Sequence, residues 1–177
     1  MIFETERLVV RNWHDEDLDD LAAIKSDPVA MRHFPSLKTR EECAVRLARW
    51  KVLGEADGAT LAPIVRKGAD RLIGFVGILP ITNEGLPNHG GYELAWTIAP
   101  AYWRRGYASE AARGWIAHAF GTLRLGRLVA FTTPANVASQ AVMRSIGMVR
   151  IPGGDFDHPE VTEGPLCRHV LYEITRS

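Results

Sequence analysis

A short turn with two arginines and a glycine stands between an apolar strand and an amphipathic helix in the middle of the chain. It is Trp103-Arg104-Arg105-Gly106-Tyr107-Ala108, and Ser109 follows it. The first N–H groups of a helix lack partners within the helix and carry the positive end of its dipole, so anions bind there. Gly106 has no Cβ to block a phosphate, and the arginines add charge. The turn is predicted to hold a diphosphate, the alternative being a turn that only connects strand and helix.

Three ordered segments resemble the GNAT superfamily of N-acetyltransferases, and in particular its RimJ/RimL-like branch. The central motif of the family is Gln/Arg-x-x-Gly-x-Gly/Ala, and here Trp103 stands first, with Gly106 and Ala108 in the later positions. Residues 5–11 are similar to the first strand of that branch, and residues 136–148 are similar to its Asn-x-x-Ser…Gly-Phe/Met signature. The resemblance covers nearly the whole chain and implies acetyl-coenzyme A as cosubstrate.

The resemblance also implies where the cosubstrate lies. The backbone of the fourth predicted strand is expected to face the pantetheine arm and the acetyl carbonyl. The residues expected to bind acetyl-coenzyme A are Trp96, Thr97, Ile98, Arg104, Arg105, Gly106, Tyr107, Ala108, Ser109, Asn136 and Ser139. Simpler roles stay open: the arginines as exposed surface residues, Trp96 as core packing, and Asn136 with Ser139 as the N-cap and N3 residues of a helix.

Acetyl transfer from a thioester to an amine depends more on a base than on an acid, because a thiol with a pKa of roughly 8.5 leaves readily. Glu93 on the fourth predicted strand is the candidate base, directly or through a water, and it resembles an acidic residue often found there in this branch. The alternative is a solvent-facing carboxylate at a strand edge. Replacing Glu93 by Gln is expected to lower the rate most at low pH. Much of the family has a Tyr proton donor where this chain has Met143, and Ser139 is the candidate to bond the leaving sulfur.

The composition is that of an ordinary globular domain. The chain has 177 residues, 46% of them hydrophobic and 24% charged, and its formal net charge is zero. Zero net charge argues against nonspecific nucleic-acid binding. We expect no secretory signal, and the longest nearly apolar run, residues 72–81, is too short to cross a bilayer. Cys43 and Cys167 form no Cys-x-x-Cys pair, so we expect free thiols, as in a reducing compartment. From the charge, the start of the chain and the short apolar run, we expect a cytoplasmic protein without membrane or nucleic-acid partners.

Hydrophobic periodicity predicts strands that first pair locally and then alternate with helices. Strands are expected at residues 5–13, 61–65, 72–79, from 90 to the proline at 100, 128–133 and 167–174, and helices at residues 15–25, 39–54, 108–120 and 136–146. Thr39 and Glu42 have capping-box spacing. This order favours a single α/β (α+β) domain over residues 1–177, with helices on both faces of a mixed sheet. The family's fold implies a mostly antiparallel sheet whose fourth and fifth strands are parallel and splayed apart to admit the pantetheine arm.

The predicted function is acetyl transfer to a primary amine, either a small molecule or a protein N-terminus, by direct attack in a ternary complex and without a metal. In this family the segment at residues 29–38 helps to build the acceptor site. Acids at residues 15–20 could attract a basic tail, although acids at a helix start more often only offset its dipole. The run at 155–160 has residue types of a metal site, but it is turn-rich and fits a loop over the acceptor pocket better. The alternative function is a non-catalytic acyl-coenzyme A sensor or assembly module, and a monomer and a homodimer both remain open.

Overall fold

Apolar and β-branched segments form one central sheet in the computed structural model, which describes residues 1–176. The strands are β1 (Phe3–Glu4), β2 (Leu8–Val10), β3 (Leu61–Arg66), β4 (Leu72–Pro80), β5 (Tyr92–Ile98), β6 (Arg127–Thr132), β7 (Val149–Arg150), β8 (Phe156–Asp157) and β9 (Arg168–Thr175). Their order is β1-β2-β3-β4-β5-β6-β9-β7, with β8 beside β9. Each pair is antiparallel except β5 with β6. The predicted mixed, mostly antiparallel sheet is confirmed.

The strands are connected by α1 (Leu18–Ser26), α2 (Arg40–Ala56), α3 (Tyr107–Gly121) and α4 (Val137–Ser145), with 3-10 turns at Asp15–Asp17 and Pro100–Tyr102. The predicted capping box starts α2, since Thr39 Oγ1 accepts from Glu42 N and Glu42 Oε2 accepts from Thr39 N. This helix continues past Gly54, its predicted end, because Gly54 does not have the positive φ of a helix-ending glycine; Gly58, just after the helix, has a φ of 75°. None of the helices in residues 1–176 has the length and apolarity that crossing a membrane requires.

The strand predicted at residues 5–13 is wrong in its extent. Thr5 N donates to Leu8 O at 2.9 Å, and this tight turn folds β1 back on β2 as a hairpin. After β2 the chain leaves the sheet, and Trp13 is buried with its Nε1 donating to Leu61 O at 2.6 Å. A turn and a buried indole therefore interrupt what the alternating pattern presented as one strand.

Helices cover both faces of the sheet, as predicted. On one face α3 and α4 pack over a core that includes Leu94, Ala111, Trp115 and Met143. On the opposite face α1 and α2 pack over a second core that includes Leu21, Leu47, Trp50 and Phe75. A third, smaller cluster of Ile81, Val129 and Leu171 lies on that second face. Side chains alternate along β6, and since Leu128 and Ala130 lie in the first core, Val129 points to the opposite face.

Strands β5 and β6 run parallel and meet at one point. Their ladder in the described residues is a single pair, Glu93 with Val129. Beyond it β5 stays on β4 as far as Ile98, whereas β6 stays on β9 as far as Thr132. The carboxyl-terminal halves of the two strands therefore part, and the gap between them ends near the amino end of α3. The predicted splayed parallel pair is confirmed.

Candidate active site

The amino end of α3 presents N–H groups to an open cleft. Gly106 is its N-cap, with a φ of 79° that favours glycine, and no side chain within residues 1–176 caps the helix. The first N–H groups of α3 are therefore available to a ligand. The cleft measures about 550 Å³ and is lined by Glu6, Arg7, Gly106, Ser109, Glu110, Arg113 and Ser145. A volume of this order suits part of a cofactor-sized ligand.

An arginine between β1 and β2 clamps this turn from the side. Arg7 Nε donates to Glu110 Oε2 at 2.7 Å, and Arg7 Nη1 donates to Arg105 O at 3.0 Å. The guanidinium lies 4.7 Å from the centroid of the Tyr107 ring. Burial acts to raise the pKa of Glu110, but hydrogen bonds from Thr5 and Arg7 hold it below its ordinary value. The clamp engages the Arg105 carbonyl and neutralises an acid in the first turn of α3 that would otherwise repel a phosphate.

The predicted motif residues differ in what they can offer a ligand. Arg104 and Arg105 are exposed, and neither forms an ion pair with another residue in the range 1–176. Tyr107 is 8% exposed and lies in the first core, so only its backbone can face the cleft, and Ala108 packs against the same core. Ser109 Oγ lies 2.9 Å from a serine Oγ of α4 and ties the two helices together. The turn therefore offers backbone N–H groups with two guanidinium groups beside them.

The gap between β5 and β6 presents the backbone of alternate β5 residues. Gly91 O accepts from Ile81 N just before β5, and Ala99 N donates to Ile73 O just after it. In an antiparallel ladder every second residue is hydrogen-bonded to the same neighbour, so the odd-numbered residues of β5 bond to β4. The N–H and C=O groups of Trp96 and Ile98 therefore face the gap. Those of Thr97 bond to β4, so Thr97 does not face the gap, contrary to the prediction. The Ile98 carbonyl already accepts from Trp103 Nε1 at 2.7 Å. The Trp96 peptide group thus stays available, while its indole packs against the first core.

Asn136 caps α4 directly after β6. Its Oδ1 accepts from Ser139 N at 3.2 Å, and its Nδ2 donates to Thr132 Oγ1 at 2.9 Å. The N-cap role is therefore present, and the second amide hydrogen remains for a ligand. Ser139 is half-buried, and its hydroxyl has no hydrogen-bond partner in the described chain. Met143 is 1% exposed and belongs to the core, so the position of the family's Tyr offers no proton donor.

Glu93 stands where the two strands part. It pairs with Leu79 of β4 on one side and with Val129 of β6 on the other. Its side chain points to the face of α1 and α2, because the adjacent Leu94 lies in the core under α3. The residue is half-buried, no hydrogen bond or ion pair from residues 1–176 engages its carboxyl, and burial raises its pKa to about 8. Such a carboxyl beside a gap can take a proton from an amine near neutral pH.

The segment between α1 and α2 reaches the wide end of the gap. His33 Nδ1 lies 3.4 Å from Thr133 Oγ1, just after β6. The Arg32 guanidinium lies 5.0 Å from the centroid of the Trp103 ring, in the motif turn. Burial, together with the charge of Arg32, lowers the pKa of His33. The segment predicted to build the acceptor site therefore lies over the opening between β5 and β6, on the same side as the Glu93 carboxyl.

The acids at the start of α1 are largely neutralised within the chain. Four of them form ion pairs: Asp15 with Lys51, Asp17 with Arg11, Asp19 with Arg40 and Asp20 with Arg71. A basic tail would have to displace these partners, so the structure favours the simpler interpretation that these acids do not form a docking site.

The run at residues 155–160 contains β8, which pairs with β9, so it is only in part the predicted loop. Asp155 pairs with Arg150, Asp157 pairs with Arg168, and the His158 ring lies 6.0 Å from the Phe131 ring centroid. Both aspartates are thus engaged by arginines, and Glu160 Oε1 accepts from Asn83 Nδ2 at 3.3 Å. In residues 1–176 no group of three or more His, Cys, Asp or Glu side chains is placed to hold a metal ion.

The Arg7–Glu110 clamp escaped the sequence analysis. The two residues are separated by 103 positions, so no local spacing connects them. The similarity of residues 5–11 to the first strand of the branch was the one available signal, and it indicated a strand rather than a contact with the motif turn.

Comparison with known proteins agrees with this geometry. Residues 7–149 match the acetyltransferase (GNAT) domain family. The N-acetyltransferase YnaD of Bacillus subtilis, itself uncharacterized, is 31% identical over 150 residues, which are 85% of this chain and 84% of YnaD. A GNAT-family acetyltransferase from Bacillus anthracis is 27% identical, with a TM-score of 0.80 over 97% of this chain and 96% of its own.

A RimL ribosomal L7/L12 α-N-protein acetyltransferase, solved in complex with coenzyme A, shares the fold. Its TM-score is 0.78 at 16% identity, covering 98% of this chain and 97% of its own. The matched family segment contains the clamp, the gap and the start of α4. The chain therefore belongs to the GNAT family, whose members use acetyl-coenzyme A, and it is an N-acetyltransferase.

Proposed function

We propose that this N-acetyltransferase transfers the acetyl group to a primary amine by direct attack within a ternary complex of enzyme, acetyl-coenzyme A and acceptor. The observation that carries the proposal is the position of Glu93, an unpaired carboxyl with a pKa of about 8 at the point where β5 and β6 part. A thioester lying in the gap would reach this point from the side of α3, and an amine would reach it from the side of α1 and α2.

The diphosphate is assigned to the amino end of α3, with Arg104 and Arg105 beside it. Gly106 leaves room for close approach, and the N–H groups that follow it are uncapped. The pantetheine arm is assigned to the gap, where the Trp96 peptide group and the second amide hydrogen of Asn136 are available donors. Each of these groups is a backbone or amide donor, which suits an anionic and amide-rich ligand.

In the chemical step the nitrogen lone pair of the amine attacks the thioester carbonyl carbon, and a C–N bond forms. Glu93 accepts the proton that the nitrogen loses, directly or through a water. The backbone N–H of Trp96 donates to the acetyl oxygen while negative charge develops there. The C–S bond then breaks, and Ser139 Oγ is the group assigned to the leaving thiolate. A thiol of pKa roughly 8.5 needs little assistance to leave.

A covalent acetyl-cysteine intermediate is disfavoured by the position of both thiols. Cys43 is buried in the second core. Cys167 precedes β9 by one residue, whereas the residue of β9 opposite Val129 is Glu173. Six residues of extended chain separate these positions, roughly 20 Å at about 3.3 Å per residue. Cys43 is therefore shielded from solvent, and Cys167 is not beside Glu93.

The acceptor is proposed to be a protein N-terminus or a small amine, in line with the RimJ/RimL-like motifs. A second function, a non-catalytic acyl-coenzyme A module, is favoured by the buried Met143 at the position of the family's Tyr. A thiol-release assay with acetyl-coenzyme A and a panel of N-terminal peptides and small amines separates the two. Acceptor-dependent release supports the enzyme. Coenzyme A binding with no release across the panel supports the module, and a stable acetyl-enzyme formed without acceptor contradicts direct attack.

A further inference from the structure

A buried lysine without an anionic partner lies beneath the segment that joins α1 and α2. Lys25 is 7% exposed, and its Nζ lies 4.9 Å from the ring centroid of Phe34 and 5.0 Å from that of Phe75. No carboxylate within residues 1–176 pairs with it. Asp19 and Asp20 of α1 pair with arginines, and Asp27, just after α1, accepts from the N–H groups of Val29 and Ala30. The aromatic rings stabilise a cation, but they do not replace a counter-ion.

The charged groups that surround Lys25 in residues 1–176 do not include a carboxylate. The groups that act on its charge are two further cations, Arg46 and Lys38, and the Cys43 thiol. Burial, followed by these cations, lowers the pKa of Lys25 to about 8. An anion bound here would relieve the cost of keeping an ammonium group out of water.

Lys25 of α1 packs on a residue paired with one end of β5, and Glu93 lies near the other end of that strand. Phe75, against which the Lys25 ammonium packs, pairs across the ladder with Thr97, and Leu79 pairs with Glu93. Between these ends the same face of β5 carries only Ala95, which is half-buried, and its partner in β4 is Gly77. The side chains between the carboxyl and the ammonium are thus small, and Ala95 packs against the second core on the face from which the acceptor is proposed to enter.

We propose that Lys25 binds a carboxylate carried by the acceptor, while the acceptor amine lies at Glu93. This inference rests on the proposed function and narrows its acceptor class to amines with an anionic group at a fixed distance. Four residues of strand separate Glu93 from Thr97, roughly 13 Å at about 3.3 Å per residue. A distance of that order is spanned by an extended segment of about three or four residues. The carboxylate is therefore that of a short peptide's C-terminus or of an acidic third residue.

The test compares tripeptide acceptors that differ only in the carboxylate. One has a free C-terminal acid, one has a C-terminal amide, and one has the amide with Glu at its third position. With acetyl-coenzyme A held at saturation, kcat/KM for the two carboxylate peptides is expected to exceed that for the neutral amide by at least about tenfold, the gain of one charge-assisted contact. A preference for only one carboxylate peptide identifies the source of the anion.

The variant Lys25→Met keeps a long apolar stem against Phe34 and Phe75, and it is expected to abolish the preference for carboxylates. Lys38→Met is the matched control, because Lys38 already pairs with Glu42 and its loss should leave the preference in place. Should Lys25→Met fail to fold, the wild type still tests the inference, because equal kcat/KM for acid and amide would overturn it.

Equal kcat/KM for acid and amide in the wild type overturns the role of Lys25 and leaves the acetyltransferase activity standing. Absence of acetylation of every acceptor, in this series and in the wider panel, contradicts the proposed function instead. Mass spectrometry showing that acetyl-coenzyme A alone acetylates Lys25 would also overturn the inference, since Lys25 would then be an acceptor and not an anion-binding group.

Discussion

At the scale of single residues, Glu93 owes its proposed role to its surroundings and not to its type. A carboxyl with an ordinary pKa near 4.3 would be ionised throughout the physiological range and would be a weak base toward an amine. Burial without a compensating partner raises its pKa to about 8. The group therefore gains basicity, and it becomes ionised only when the pH rises through that value.

The variant Glu93→Gln tests this role through its pH dependence. Because the base acts only when ionised, the wild-type kcat/KM is expected to exceed that of the variant by a ratio that grows from pH 6 to pH 9. Loss of a positioned base lowers the rate by roughly 10²- to 10⁴-fold. The raised pKa thus reverses the expectation from the sequence, which placed the largest loss at low pH.

The ratio of the two kcat/KM profiles is the measurement, since it cancels the titration of the acceptor amine. A ratio that stays constant from pH 6 to pH 9 would remove Glu93 from the proton transfer. The circular dichroism spectrum of the variant serves as the control for its fold.

The raised pKa of Glu93 also predicts how the free energy of unfolding depends on pH. In the unfolded chain Glu93 ionises near pH 4.3, whereas in the folded chain it ionises near pH 8. Between these values ionisation favours the unfolded chain, so the wild type loses stability as the pH rises through this window. Urea unfolding is expected to show Glu93→Gln gaining stability over the wild type from pH 5 to pH 8.5. Parallel stability curves for the two proteins would show that the carboxyl is hydrated.

Residue types alone could identify some members of the site and not others. Asn136 has the side chain of an N-cap at the start of a periodic segment, and it is one. The position of Glu93 on a strand before the motif turn was visible in the sequence, but its pKa depends on neighbours from β4 and β6. Lys25 gave no signal, because a lysine in an amphipathic helix is ordinarily a solvent-exposed residue.

At the scale of elements, the start of α3 depends on one backbone conformation. Gly106 has a φ of 79°, and a Cβ there would lie 3.4 Å from Arg7 Nη2, at the edge of the cleft. Gly106→Ala is expected to lower the stability by about 1–2 kcal/mol through left-handed strain. It should also weaken coenzyme A binding by at least about tenfold, because the methyl group stands where a phosphate would approach.

Gly90→Ala separates these two effects. Gly90 has a φ of 79°, and nothing lies within 4 Å of its missing Cβ. It precedes β5 at the end opposite to the motif turn, so the substitution carries the same strain away from the cleft. It should lower the stability to a similar degree and leave the affinity for coenzyme A unchanged, as measured by calorimetry. Equal affinity losses in the two variants would mean that the Gly106 effect is only strain.

Elements with a local signal were predicted well, and elements set by distant contacts were not. The capping box of Thr39 and Glu42 located the start of α2 because both partners lie within one turn. The hairpin of β1 and β2 was missed because its turn lies inside an alternating pattern that fits one strand. The Arg7–Glu110 clamp was missed because it joins residues 103 positions apart. The splay of β5 and β6 came from the family resemblance, since periodicity contains no register.

At the scale of the whole molecule, the site depends on a sheet that helices cover on both faces and that is open only in the gap between β5 and β6. The core under α3 and α4 fixes the amino end of α3 beside the gap. The core under α1 and α2 holds these two helices, and the segment at residues 29–38 between them lies over the other side of the gap. The thioester and the amine are thereby assigned to opposite faces and meet where β5 and β6 part. This arrangement makes the grip on the diphosphate the requirement on which the remaining steps depend.

Titration calorimetry with coenzyme A and with pantetheine, which lacks the diphosphate and the adenosine 3′-phosphate attached to it, tests that requirement most directly. If the amino end of α3 holds the diphosphate, coenzyme A binds the folded protein at one site per chain and pantetheine binds at least about a hundredfold more weakly, a difference of roughly 2.7 kcal/mol. Equal affinities for the two ligands, or no heat from coenzyme A while the protein keeps its folded spectrum, would contradict the account.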